Sequence, residues 1–282
     1  MDVAKLFEDS LKYPSKDWGK ILGLGALTII SLIFYYIPYI FSGISSLTPS
    51  LEVFNTITTI IISIVFGLLY LIMTIIISGY QLSIIRKTIE FEDKVPDFDW
   101  GKNLFDGCKR LALGIVYYII PFIATIVVFG LSSILSYGTN NPLVGFIAVA
   151  MGVLFVAILF IISSLLLNIA TAILAETDSL STAINVKYVW DKIGEIGWGN
   201  YIIWIIVLLL ILLAIGVILF IIFFVLGILL GITMGIGGSE FLEAMTSMLM
   251  IIIFGLYTLV FIPYLGMFQS RAIGLLYNES KK

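Results

Sequence analysis

The sequence contains no histidine and a single cysteine, Cys108. The first absence excludes a Ser-His-Asp triad, a His-ligated metal and a histidine proton relay, and the second excludes an internal disulfide or a cysteine cluster. Charge is equally scarce. Only 12% of the 282 residues are Asp, Glu, Lys or Arg, and none falls within Ile21–Leu51, Val53–Ile85, Leu111–Ala175, Ile196–Ser239 or Ala244–Ser270. Against these absences stand a hydrophobic content of 61% and a mean hydropathy of +1.16, outside the range of soluble domains. The chain is expected to be a polytopic membrane protein. A transmembrane β-barrel needs short segments alternating apolar and polar residues, whereas Ile205 to Phe224 is apolar at nearly every position.

A span needs about 20 apolar residues, and Leu111–Ala175 is long enough for two. We place six spans at about 21–42, 54–79, 108–136, 143–173, 200–231 and 246–270. All fifteen Lys and Arg residues then fall on one side. Four precede the first span, Arg86 to Arg110 separate the second from the third, Lys187 and Lys192 separate the fourth from the fifth, and Arg271, Lys281 and Lys282 follow the last. The positive-inside rule therefore predicts a multi-pass protein of the cell membrane with both termini cytoplasmic. The twenty mixed-charge residues before the first apolar run, with no cleavage pattern after it, predict a retained span. Cys108 sits at the inner edge of the third span, where it is expected to stay a reduced, small interfacial residue. Fifteen acidic residues balance the fifteen basic ones on that side, which argues against a nucleic-acid partner or a polybasic lipid patch; Glu52, Glu240 and Glu243 supply the outer excess.

Internal similarity pairs Pro14-Ser15-Lys16-Asp17-Trp18-Gly19-Lys20 with Pro96-Asp97-Phe98-Asp99-Trp100-Gly101-Lys102, and Gly197-Trp198-Gly199-Asn200 is a weaker third copy. Tyr35-Tyr36 and Tyr117-Tyr118 follow the first two Trp residues at the same distance and are read as an interfacial aromatic belt. The chain is thus expected to be one integral membrane domain of three hairpins, about 1–79, 80–173 and 174–282, each entered through a Trp-Gly step. Amphipathic stripes accompany them: Val3, Leu6, Phe7 and Leu11; Leu82, Ile85 and Ile89; Val186, Val189, Trp190 and Ile193; and Phe268, Ala272, Leu275 and Leu276. We expect these to lie on the membrane surface as interfacial helices on the cytoplasmic side, with Pro14 and Pro96 ending the first two and Asp178 or Ser179 capping the third. The predicted fold class is an all-α membrane protein: six transmembrane helices in three hairpin repeats, each preceded by a short interfacial helix.

The opening Leu11-Lys12-Tyr13-Pro14 to Asp17-Trp18, Gly79-Tyr80 leading into an Arg-bearing helix, and Val95-Pro96 to Trp100-Gly101 resemble an uncharacterised integral membrane family common in archaea. More distantly the pattern is similar to the six-helix membrane domain attached to some glycerophosphodiester phosphodiesterases, without their catalytic barrel. The resemblance implies a fold and a location. It implies no catalytic residue, cofactor or ligand.

Few side chains are candidates for chemistry. Glu92, Asp93, Asp97 and Asp99, and Glu240 with Glu243, are paired carboxylates in short hydrophilic connections, read as solvated. Asp17 and Asp99 are expected to cap the helices that follow them, where the macrodipole favours a carboxylate by about 0.3–1 kcal/mol. Ser164, Asn168 and Thr171 form a polar stripe on one face of the fourth span, with Glu176 just beyond; this is the candidate intramembrane site, although such stripes also hold helices together. The interfacial motif comprises Asp17, Trp18, Gly19, Asp99, Trp100, Gly101, Trp198 and Gly199. Pro38, Pro121 and Pro263 are expected to kink or interrupt their spans, and Gly227, Gly231 and Gly235 to form a close packing face, a bend being the alternative for the Gly227–Gly238 tract. With no recognisable nucleophile-base pair the chain is read as no enzyme and without a cofactor. The expected role is a module that binds membrane lipids or a protein partner, a second copy included, or organises the cytoplasmic side of the envelope; the alternative is a small-solute permease with a site among the proline- and glycine-interrupted helices. Absence of a charged group deep in the spans, and hairpins that all point the same way, weigh against the permease.

Overall fold

The computed structural model describes residues 2–45, 52–139, 141–235 and 240–281, of which 52–55, 233–235 and 240–243 in backbone only. Among these residues there is no strand. A short helix α1 (Val3–Lys12) precedes α2 (Trp18–Ser45), α3 (Glu52–Ile89), α4 (Trp100–Gly138) and α5 (Pro142–Thr177). Two short helices, α6 (Leu180–Ile184) and α7 (Val186–Ile196), lead into α8 (Trp198–Gly235). The last apolar segment is α9 (Glu240–Leu256), a π-helical turn at Tyr257–Phe261, and α10 (Ile262–Asn278). Six of these segments are long and apolar enough to cross a membrane, as the sequence predicts. The 39 residues of α4 span about 58 Å at 1.5 Å per residue, well beyond a hydrocarbon core of about 30 Å. The long helices therefore exceed that thickness, and Arg86 and Lys87 of α3 and the charges of α4 lie toward the end that carries both termini.

Helix starts follow the expected capping chemistry. Trp18, Trp100 and Trp198 are the first residues of α2, α4 and α8. Asp17 Oδ1 accepts the Lys20 amide at 3.1 Å, and Asp99 Oδ1 accepts that of Lys102 at 3.0 Å. Gly19 leaves room for the first carboxylate, since a Cβ there would stand 3.2 Å from Asp17 Oδ1, whereas at Gly101 the corresponding distance to Asp99 Oδ1 is an ordinary 3.6 Å. The third start differs: Gly197 takes a left-handed φ of +90°, and Asn200 donates to the Ile196 carbonyl at 3.1 Å. Asn185 rather than Asp178 or Ser179 caps α7; Ser179 caps α6, and Asp178 is the left-handed end of α5.

Buried side chains concentrate at the end that carries both termini. One core joins Leu6 and Phe7 of α1, Leu82, Ile85 and Ile89 of α3, Ile169–Ala175 of α5, Val189, Ile193 and Ile196 of α7, Tyr201 and Trp204 of α8, and Phe268, Ala272 and Leu276 of α10. Toward the other end most apolar residues face outward, as lipid permits. From Leu209 to Ile232 only Leu226 is buried.

This core corrects the expected surface-lying helices. Only α1 and α7 are separate amphipathic helices; the stripes at Leu82–Ile89 and Phe268–Leu276 are the continuous ends of α3 and α10. Phe7 stacks on Trp204 at 6.0 Å and meets Phe268 at 6.2 Å, so the apolar face of α1 is covered by protein. Segment 178–197 also folds back on the bundle, where the Tyr117 hydroxyl donates to the Ala183 carbonyl at 2.9 Å. Tyr117 is accordingly buried and not part of an aromatic belt, whereas Tyr35 and Tyr36 are exposed.

The expectations for the prolines and the glycine tract are met in part. Helices α2 and α4 run unbroken through Pro38 and Pro121. Only the last segment is interrupted, by the π turn just before Pro263, whose missing N–H cannot bond the Leu259 carbonyl. Gly25 of α2 lies directly against that carbonyl, where a methyl group would overlap it. Finally, α8 stays helical through Gly235, and a Cβ at Gly227 or Gly231 would meet nothing within 4 Å, so among the described residues this face is open within the chain. Residues 236–239 of that tract, and the side chains of Glu52, Glu240 and Glu243, lie outside the described residues.

Candidate functional site

Helices α3 and α4 approach closely through two glycines. A Cβ on Gly79 would overlap the Asn103 carbonyl, and one on Gly107 would overlap the Ile75 carbonyl. Just beyond this crossing the helices part, and α5 and α10 complete a half-open groove of 690 Å³. Its size lies within the range of small-molecule sites. Ser164, Asn168 and Thr171 of the expected polar stripe line it together with Ser78 and Gln81 of α3, Arg110 and Tyr118 of α4, and Gln269 of α10. Leu71, Ile75, Ile115 and Leu167 supply apolar wall, and at Gly114 a Cβ would meet nothing within 4 Å.

Arg110 is the charged group of the groove, and sequence reasoning counted it only among the charges before the third span. Because α4 begins at Trp100, Arg110 stands ten residues into the helix, about 15 Å along it. The usable signal is its place immediately before the charge-free stretch starting at Leu111. Arg110 Nη1 donates to the Ser78 carbonyl at 3.0 Å and to Gln81 Oε1 at 2.7 Å. Gly266 of α10 makes room for the Gln81 amide, whose Nε2 a Cβ there would crowd at 2.5 Å. At the other end of the groove Tyr118 and Ser164 share a hydrogen bond of 2.9 Å between their hydroxyls. Tyr118 is eight residues beyond Arg110, so the polar headpiece and this hydroxyl pair are separated by about 12 Å.

Glu176 does not join this site. It lies at the terminus-bearing end, accepting from the Tyr277 hydroxyl at 2.6 Å and from Lys281 at 2.7 Å. Of the Trp-Gly motifs, the first two copies meet through the Lys20–Asp97 ion pair, while Trp100 meets Phe98 at 5.0 Å and Trp198 meets Trp190 at 4.4 Å in a tilted arrangement. Four carboxylates after α3, Glu90, Glu92, Asp93 and Asp97, are tied to cations. Asp93 bonds Lys16 and Arg271, Glu92 bonds Lys87, and Asp97 bonds Lys20 at 2.9 Å. The Lys16 hydrogen bond holds the Asp93 carboxyl below its usual range, and Lys20 does the same for Asp97. Asp178 is lowered chiefly by Lys109 at 2.9 Å. Among the described residues no group of three acidic or cysteine side chains could hold a metal ion.

A family described as a protein of unknown function (DUF4013) matches residues 62–224, more than half of the chain. The chain belongs to this family. The matched region runs from within α3 to the outer part of α8 and contains every groove residue except Gln269 and Ile273 of α10. No curated protein and no solved structure matches the chain.

Proposed function

We propose that this DUF4013 protein is a non-enzymatic membrane module of three hairpin repeats, its termini cytoplasmic, whose groove between α3, α4, α5 and α10 receives a membrane lipid. The observation behind the reading is the groove itself, whose charged group, Arg110, stands with Ser78 and Gln81 at one end, with outward-facing Leu71, Leu111 and Ile115 along its border and the neutral Tyr118–Ser164 hydroxyl pair at the other end. A charged end beside lipid-facing apolar borders suits an amphiphile entering from the bilayer. The Trp-Gly step at the head of α2, α4 and α8, and the grouping of basic residues at one end, support the repeats and the orientation. A permease would draw on helices broken at the prolines, whereas α2 and α4 stay continuous and the one π turn is packed against Gly25.

The test is Gly114→Leu, which fills the groove from a position with free space around it. Native mass spectrometry of protein gently extracted from its membrane is expected to show a retained lipid in the wild type and its loss in the variant. Equal retention by both would overturn the reading.

A further inference from the structure

We propose that the groove selects an amphiphile with an oxyanion headgroup, a phosphate or carboxylate, bound by Arg110; this rests on the lipid-binding reading above. The three arginines differ in their partners. Arg86 pairs with Asp106 at 2.7 Å and Asp178 at 3.3 Å, and also donates to the Ala175 carbonyl. Arg271 pairs with Asp9 and Asp93, each at 2.9 Å. Arg110 has no carboxylate partner among the described residues, although Asp106 lies one turn back on the same helix and is taken by Arg86.

A cation removed from water needs a compensating charge, and neutral acceptors compensate it incompletely. Here both neutral acceptors are engaged by one nitrogen, Nη1, while Nε and Nη2 make no hydrogen bond within the described residues. Neither nitrogen is among the sealed, unpartnered polar atoms, which are found on Asn103, Trp204, Thr258 and Asn278. The guanidinium is thus clamped in place with its free edge open to the groove. That edge is the planar two-donor fork that fits a phosphate or carboxylate. A cationic solute would be repelled, and a neutral one would leave the charge uncompensated. A free anion would leave Leu71, Ile115 and Leu167 uncovered, so the anion belongs to a chain-bearing lipid.

The full-length protein is reconstituted in bilayers of phosphatidylcholine with phosphatidylglycerol as the minority lipid, then released into mild detergent for native mass spectrometry. Wild type is expected to retain phosphatidylglycerol over phosphatidylcholine by about tenfold relative to the bilayer. Arg110→Gln is expected to retain lipid without that preference, and Arg110→Lys, which keeps the charge, to preserve part of it. Unchanged selectivity in Arg110→Gln overturns the proposal. Equal retention of both lipids by wild type, lost in Gly114→Leu, overturns the anion selectivity and leaves the groove as a lipid site. Unaltered retention in Gly114→Leu overturns the groove reading as well. Displacement of the lipid by inorganic phosphate alone would make the site one for a free anion and overturn the lipid source.

Discussion

Gly79 and Gly107 permit the crossing of α3 over α4, each set against a carbonyl of the other helix. Alanine at either position must push the backbones apart, because the obstructing atoms belong to main chain and not to a flexible side chain. We expect Gly79→Ala or Gly107→Ala to cost about 1–3 kcal/mol, the usual range for overpacking, measured by thermal unfolding in detergent. Gly23→Ala and Gly67→Ala, where a Cβ meets nothing within 4 Å, are the controls and should unfold at or above the wild-type temperature. Equal effects at all four positions would contradict the crossing. These residues also mark what the sequence hides. A small residue is legible as a place where a helix can be approached, and the Gly227 and Gly231 spacing advertises it most strongly, yet those two are open in the chain while the isolated Gly79 and Gly107 are in contact. Spacing records the shape of one helix face. Which partner arrives is decided by the other helices.

At the scale of elements, α1 shows the same division. Its apolar stripe is plain in the sequence, but lipid and protein satisfy such a stripe equally well, so its destination was not. Leu6 and Phe7 are buried on Trp204 and Phe268, and the Tyr264 hydroxyl donates to the Leu11 carbonyl. Phe7→Ala removes the ring at the centre of this contact, a change that costs about 3–5 kcal/mol in a well-packed core. Limited proteolysis is expected to cut residues 1–17 far faster in the variant, with the remaining helices still protected, and to do so in detergent as in bilayers. Cleavage that depended on the lipid present would return α1 to the membrane surface. Of the groove, the stripe Ser164, Asn168 and Thr171 was legible from its helical period. Arg110 and Gln81 were not, because their role depends on helices that approach from elsewhere in the chain, and because α4 begins earlier than hydropathy alone suggests.

The whole molecule is fastened at one end by ion pairs across elements, and this sets its response to acid. Asp93, Asp97 and Asp178 have carboxyls lowered by lysine partners, so their contribution is complete above the unfolded carboxylate range, about pH 4, and is lost as the pH falls through the lowered values. With no histidine in the chain, we expect a flat unfolding temperature between about pH 5 and 8 and a fall below about pH 4, measured by scanning in detergent. A midpoint shift near pH 6.5 would contradict this. The orientation has an equally direct check. Cys108 is the sole cysteine and is exposed, so a membrane-impermeant maleimide should label it in inside-out vesicles and spare it in right-side-out ones.

Arg271 also bears on the order in which the protein can be made. Asp9 and Asp93 leave the ribosome before Arg271, the α10 residue whose guanidinium pairs with both. Until α10 arrives, those carboxylates lack that counter-ion, and Ile85 and Thr88 of α3 lack Gly274, the surface they close on. Synthesis of the five long apolar helices before α10 and closure of the terminus-bearing end are therefore separate events in time. The final helix acts as a keystone, and a chain truncated before it would be inserted but left open.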